Sequence, residues 1–189
     1  MIVKIHGTSG SGKTTAVREL MDLANSVMPI HYGRKKPEAY RLDAGVGTMP
    51  TYVLGSYDNT CGGVDTISST TDLIDLVDKY YSQGHLVFEG LLVSTYHGGL
   101  GSYLDSLLET PKVWAFMNTP IDECVERVRQ RRLAAGNTKP FNEANTRNRV
   151  KPIQALRSKL IARGSAVVDI DGSGGSGRQL FDILYKGAI

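Results

Sequence analysis

Cysteine is scarce in this chain of 189 residues, which carries only Cys61 and Cys124. Two are too few for a disulfide framework, and with no Cys-x-x-Cys or Cys/His spacing they make no zinc site, so both are read as free thiols. Long apolar runs are also missing, since nothing approaches the roughly 20 uninterrupted apolar residues of a bilayer-spanning helix. No secretory leader is visible, because Met1 to His6 runs straight into a glycine loop. The expectation is therefore no membrane partner and a cytoplasmic location. Absent too is an Asn-Lys-x-Asp stretch of the kind that reads guanine. The length suits one α/β domain spanning residues 1–189 and leaves little room for a switch or motor apparatus. With 41% hydrophobic and 22% charged residues, the composition is that of an ordinary folded protein.

The net charge of +3 hides an uneven distribution. From Arg127 to Arg163 there are eleven Lys/Arg and one acid, Glu143, whereas residues 1 to 126 hold nine bases against fifteen acids. Such a basic block faces either water or an anion, and polyphosphate and nucleic acid both fit.

Hydrophobic spacing gives the order of elements. Ile2 to His6 reads as a buried strand, Lys13 to Val27 as a helix, Thr51 to Tyr57 as a strand and Asp72 to Tyr81 as a helix. His85 to Phe88 and Lys112 to Met117 are further strands, each preceded by a helical stretch. Asp122 to Ala135 and Glu143 to Ala162 are helical, Ala166 to Ile170 is a last strand, and Gln179 to Tyr185 a closing helix. Alternation of this kind predicts a three-layer α/β fold, a parallel sheet of about five strands with helices on both faces. Ligands in such sheets sit beyond the carboxyl ends of the strands. The loops after Ile5, Tyr57, Phe88, Met117 and Ile170 are thus expected to meet at one cleft. Gly172 to Gly177 is open to two readings, a flexible link or a loop that lets backbone approach an adenine.

Gly7-Thr8-Ser9-Gly10-Ser11-Gly12-Lys13-Thr14 satisfies G-x-x-x-x-G-K-[ST] between a strand and a helix. Glycines at 7, 10 and 12 permit positive φ, so that successive N–H groups turn inward around an anion, with the helix start adding its positive dipole end. Lys13 is then expected on the β- and γ-phosphates of ATP, Thr14 on Mg²⁺, and Thr15 beside them. Glu89, ending the apolar run Val87-Phe88, is the candidate acid for the metal.

The same loop serves GTPases and ATPases, so phosphoryl transfer needs further residues. Arg127, Arg129, Arg131 and Arg132 cluster at one helix end, with Arg127 and Arg131 on one face. On a small helical lid, at about 122–163, they would balance charge on the transferred group. The alternative is a solvated helix end favoured by the dipole. The loop Leu54 to Asp65 offers Asp58 or Asp65 as a general base and Tyr57 as a stacking surface, or an ordinary turn.

In these residues the chain resembles P-loop kinases of the thymidylate kinase type, and more narrowly the phage 5-hydroxymethyluracil DNA kinases, through Gly55 to Asp65 and Phe88-Glu89-Gly90. The resemblance implies transfer of the ATP γ-phosphoryl group to a hydroxymethyl pyrimidine within DNA, a step of phage genome hypermodification, in a host's cytoplasm. A DNA substrate would engage Arg157 and Lys159 of the basic block, and Arg34-Lys35-Lys36 with Tyr32 and Tyr57 would hold an unstacked base. Two alternatives stay open. A free nucleoside or nucleotide kinase would use Arg18, Arg34 or Arg41 on the acceptor phosphate, and a non-kinase P-loop NTPase or nucleic-acid-binding module would transfer nothing.

Overall fold

The computed structural model describes residues 1–33, 35–59, 62–95 and 98–188. In chain order the elements are β1 (Ile2–His6), α1 (Lys13–Asp22), β2 (Ser26–Ile30), β3 (Ala39–Asp43), β4 (Thr51–Leu54), α2 (Thr70–Tyr80), β5 (His85–Glu89) and α3 (Leu91–Thr95). Then come α4 (Gly99–Ser106), β6 (Lys112–Asn118), α5 (Ile121–Ala134), α6 (Ala144–Arg147), α7 (Val150–Ala162), β7 (Ala166–Asp171) and α8 (Ser176–Lys186).

One sheet runs in the order β2-β3-β4-β5-β1-β6-β7. Its five strands from β4 to β7 are parallel, while β2 and β3 join antiparallel at the β4 edge. The parallel strands are apolar on both faces, as burial between two helical layers requires. Val3, Ile5, Val87 and Ala115 meet α1 and α8 on one side, and Ile2, Leu86, Phe88 and Trp114 meet α2, α4 and α7 on the other.

The sheet therefore has seven strands rather than about five, and the first helix stops at Asp22 instead of Val27. Leu23, Ala24 and Val27 fit a helical stripe, but Pro29 lies just ahead, and its ring and missing N–H oppose a helix running through it. The chain turns at Asn25, whose N–H donates to Asp43 O, and pairs as a strand. The stretch from Glu143 to Ala162 is likewise two helices. Pro152 is accommodated in the first turn of α7, where its missing N–H costs nothing, and the chain breaks at Asn148-Arg149 before it. β4 ends at Leu54 because Gly55 adopts a φ of 91° and turns the chain out of the sheet.

Candidate active site

The loops after β1, β4, β5 and β7 and the inner face of α5 enclose a cleft of about 580 Å³ at the carboxyl end of the sheet. Ser9 to Thr15 form its floor, Gly62, Asp65, Glu89 and Leu91 one wall, and Arg127, Arg131 and Gly172 to Gly174 the other. Gly172 to Gly174 thus belong to the site rather than serving only as a link.

The floor is a turn that only small residues can make. Gly10 and Gly12 have φ of 79° and 94°, in the left-handed region. A Cβ on Gly10 would also stand 2.2 Å from Cys124 O, so α5 begins in direct contact with the loop backbone. Gly7 is not left-handed; it is excluded from bearing a side chain by Ser11 Oγ, 2.3 Å from where a Cβ would be. Gly7, Thr8 and Ser11 face a second, smaller cavity beneath the loop, toward α7. Thr8 Oγ1 donates to Thr146 O over 2.8 Å, fastening α6 to the loop.

Lys13 is buried, and its Nζ donates to Gly7 O at 2.8 Å and Thr8 O at 3.0 Å. Burial pulls its pKa down, opposed chiefly by the Glu89 carboxylate. Glu89 is itself pushed up by burial, against the pull of Lys13 and of the Thr14 hydroxyl, which donates to Oε1 at 2.9 Å. A buried ammonium whose hydrogen-bond partners among the described residues are neutral carbonyls, beside a ring of amides, is a site suited to an anion. The buried Ser11 hydroxyl, packed against Gly7, has no hydrogen-bond partner among the described residues. The Thr14 hydroxyl and Glu89 carboxylate lie together as a pair of hard oxygens that could hold a divalent cation such as magnesium.

On the opposite wall Arg127 donates to Gly172 O at 2.9 Å and pairs with Glu123, tying α5 to the loop after β7. Arg131, one turn on, lines the cleft with no ion pair among the described residues. Asp65 accepts from the N–H groups of Leu91 at 2.6 Å and Leu92 at 3.2 Å, which holds its carboxylate at the cleft edge beside Glu89. Asp58 does not line the cleft. It is exposed and accepts from Tyr40 Oη at 2.9 Å. Tyr57 is buried in the core beside Tyr40 and presents no open ring face for stacking; burial pushes its pKa well up.

Arg34 and Cys61 lie outside the described residues. Arg157 pairs with Asp169 on β7 at 2.7 Å, and both it and the exposed Lys159 stand away from the cleft lining. Sequence reasoning gave Arg18 only the role of a possible phosphate clamp. Arg18 lines the cleft, and its guanidinium also donates to Tyr57 O at 2.8 Å and to Asn59 O, holding the start of the loop after β4. The signal was available, since Arg18 follows Thr14 by one helical turn and so shares its face.

No protein-family model matches the chain. It is 38% identical over 177 residues to the 5-hmdU DNA kinase of Pseudomonas phage PaMx11, covering 92% of each chain. The chain belongs to the 5-hmdU DNA kinase family. Family members with the same name in Pseudomonas phage M6 and Delftia phage PhiW-14 are 28% and 26% identical, over 89% and 86% of this chain and 89% and 65% of theirs. Among solved structures, deoxyadenosine kinase from M. mycoides with bound dCTP is 11% identical, covers 97% of this chain and 98% of its own, and has a TM-score of 0.49. As a member of the 5-hmdU DNA kinase family, this chain is a nucleotide-binding phosphotransferase. None of its helices, among the described residues, is long and apolar enough to cross a membrane.

Proposed function

We propose that this kinase transfers the γ-phosphoryl group of ATP to the hydroxymethyl hydroxyl of a modified pyrimidine in DNA. The observation that carries the reading is the pairing, in one cleft, of a phosphate cradle on the floor with a carboxylate, Asp65, on the wall reached from the sheet edge. The names of the viral relatives supply the acceptor.

The amides of residues 9 to 13 and the Lys13 ammonium grip the β- and γ-phosphates, while Arg127 and Arg131 face them from α5. The Thr14 hydroxyl and the Glu89 carboxylate would hold magnesium, which when bound would supply positive charge beside the phosphate oxygens. Asp65 accepts the proton of the acceptor hydroxyl as its oxygen bonds to the γ-phosphorus; the bond from that phosphorus to the β–γ bridging oxygen breaks, and ADP leaves. Asp65 takes this role over Asp58 because only Asp65 borders the cleft.

A nucleotide acceptor would need arginines for its own phosphate. Among the described residues, Arg41 pairs with Asp43, whereas Arg18 lines the cleft and donates only to the carbonyls of Tyr57 and Asn59. Arg18 is thus the one of these two arginines that a nucleotide acceptor could use. The test is to supply γ-labelled ATP with hydroxymethyluracil-containing DNA and with free hydroxymethyl nucleotides in parallel. Label in the DNA is the expected result, and label confined to the free nucleotide rejects the proposal.

A further inference from the structure

We infer that the tip of the β2–β3 hairpin, through Lys35, Lys36 and Tyr32, grips the substrate DNA backbone and an adjacent base beside the acceptor cleft. The inference rests on the DNA-kinase reading above and locates the surface that the DNA occupies.

Three observations place it there. The first is position. Ala39, which opens β3, pairs with Leu54, which closes β4, so residues 31–33 and 35–38 lie beyond the carboxyl end of the sheet, the end at which the cleft opens. The hairpin is bonded directly to the loop that carries Asp65: Gly55 N–H donates to Glu38 O at 2.7 Å, and Tyr57 N–H to Tyr40 Oη at 3.1 Å. These two bonds join the base of the hairpin to the start of the loop on the acceptor side.

The second is charge. Lys35 and Lys36 are exposed, and neither has an ion pair among the described residues. The conspicuous basic block is different, because much of its charge is matched within the fold. Arg129 pairs with Glu126 and Glu143, Arg147 with Asp122 and Glu143, Arg157 with Asp169 and Arg163 with Asp105. Helix α7 also starts near the phosphate loop and ends where β7 begins, so Lys159 is carried away from the cleft.

The third is Tyr32, 74% exposed although it is a large aromatic. The Lys79 ammonium stands 4.5 Å from the ring centroid, and Lys79 is itself fixed by Glu38 at 3.0 Å. The ring is thus held on one side and open to a nucleobase on the other. Phosphate-binding lysines beside a positioned aromatic are the chemistry that holds a nucleic-acid strand.

The test uses the full chain and a duplex containing hydroxymethyluracil. Its affinity is measured by fluorescence anisotropy between about 50 and 200 mM salt, the range over which counterion release is read. Lys35→Gln/Lys36→Gln is expected to flatten the logarithmic salt dependence by about two, near one phosphate contact per lysine. Tyr32→Ala is expected to weaken binding roughly tenfold without changing that slope. ATP affinity by calorimetry and the thermal unfolding midpoint report that the loop and fold remain intact. If wild type phosphorylates the duplex and all three substitutions leave its affinity and salt slope unchanged, the hairpin inference is overturned while the DNA-kinase reading stands. If wild type places no label in the duplex, the underlying reading fails and this inference with it.

Discussion

Replacing Lys4 by methionine is expected to stabilise this protein. Lys4 sits in the middle of β1 at 1% exposure, with no hydrogen-bond partner for Nζ among the described residues. Its nearest compensation is the face of Trp114, 5.3 Å from Nζ to the centroid, and the more distant charge of Asp105. Burial pulls its pKa from the ordinary 10.5 down to about 7, opposed by Asp105. Below pH 7 the side chain is charged in folded and unfolded chains alike, so the folded state bears the whole cost of the buried charge. Between pH 7 and pH 10.5 only the unfolded chain keeps the extra proton, and stability rises with pH through that window. At about 1.4 kcal/mol per pH unit, the full span is worth about 5 kcal/mol. Methionine fills a similar volume without the charge, so the Lys4→Met gain should approach that figure at about pH 6 and shrink by about 1.4 kcal/mol per unit above neutrality. Urea unfolding of both proteins at about pH 6, 7.5 and 9 reads the difference directly. A gain that is absent at the lowest pH, or equal at all three, refutes the argument.

Three further outcomes are expected. Lys13→Ala should lower turnover by at least about a hundredfold, with little change in unfolding midpoint, because its ammonium acts on phosphate charge; near-normal turnover in a coupled ADP assay would contradict this. Gly10→Ala should destabilise the fold by about 2 kcal/mol or more, since the residue is left-handed and the new methyl meets Cys124 O, and chemical denaturation measures it. Thr8→Val should cost about 1 kcal/mol through the lost bond to Thr146 O and should raise the proteolytic susceptibility of α6 ahead of the rest of the chain.

The strand, glycine loop and helix at the N-terminus were legible because each level of the code agrees there: an apolar run, glycines at the turn, and a lysine-threonine pair opening an amphipathic helix. The β2–β3 hairpin was not. β2 is an outer strand whose residues are almost all exposed, so burial imposes no alternation, and Val27 happened to extend the stripe of α1. The charge of the basic block was countable in the sequence, but its cancellation was not. Asp105 is 58 positions from Arg163 and Asp169 is 12 from Arg157, pairings that only the packing of α4, α7 and β7 creates. Asp58 looked equivalent to Asp65 as a general base, and Tyr57 read as a stacking surface, because all three belong to one polar loop. Their separation depends on Tyr40 and Arg18, which draw the start of that loop inward, while the N–H groups opening α3 hold Asp65 at the rim.

The contact between Gly10 and the Cys124 carbonyl divides labour between two arginines that are one turn apart. The root of α5 is wedged on the loop, and Arg127 is bolted to the Gly172 carbonyl, so this end of the helix has no slack. A swing of the arm therefore has its fulcrum beyond Arg127. In the proposed reaction Arg127 would be a standing post at the phosphates, and Arg131, farther along the lever, the guanidinium whose distance from them such a swing would change.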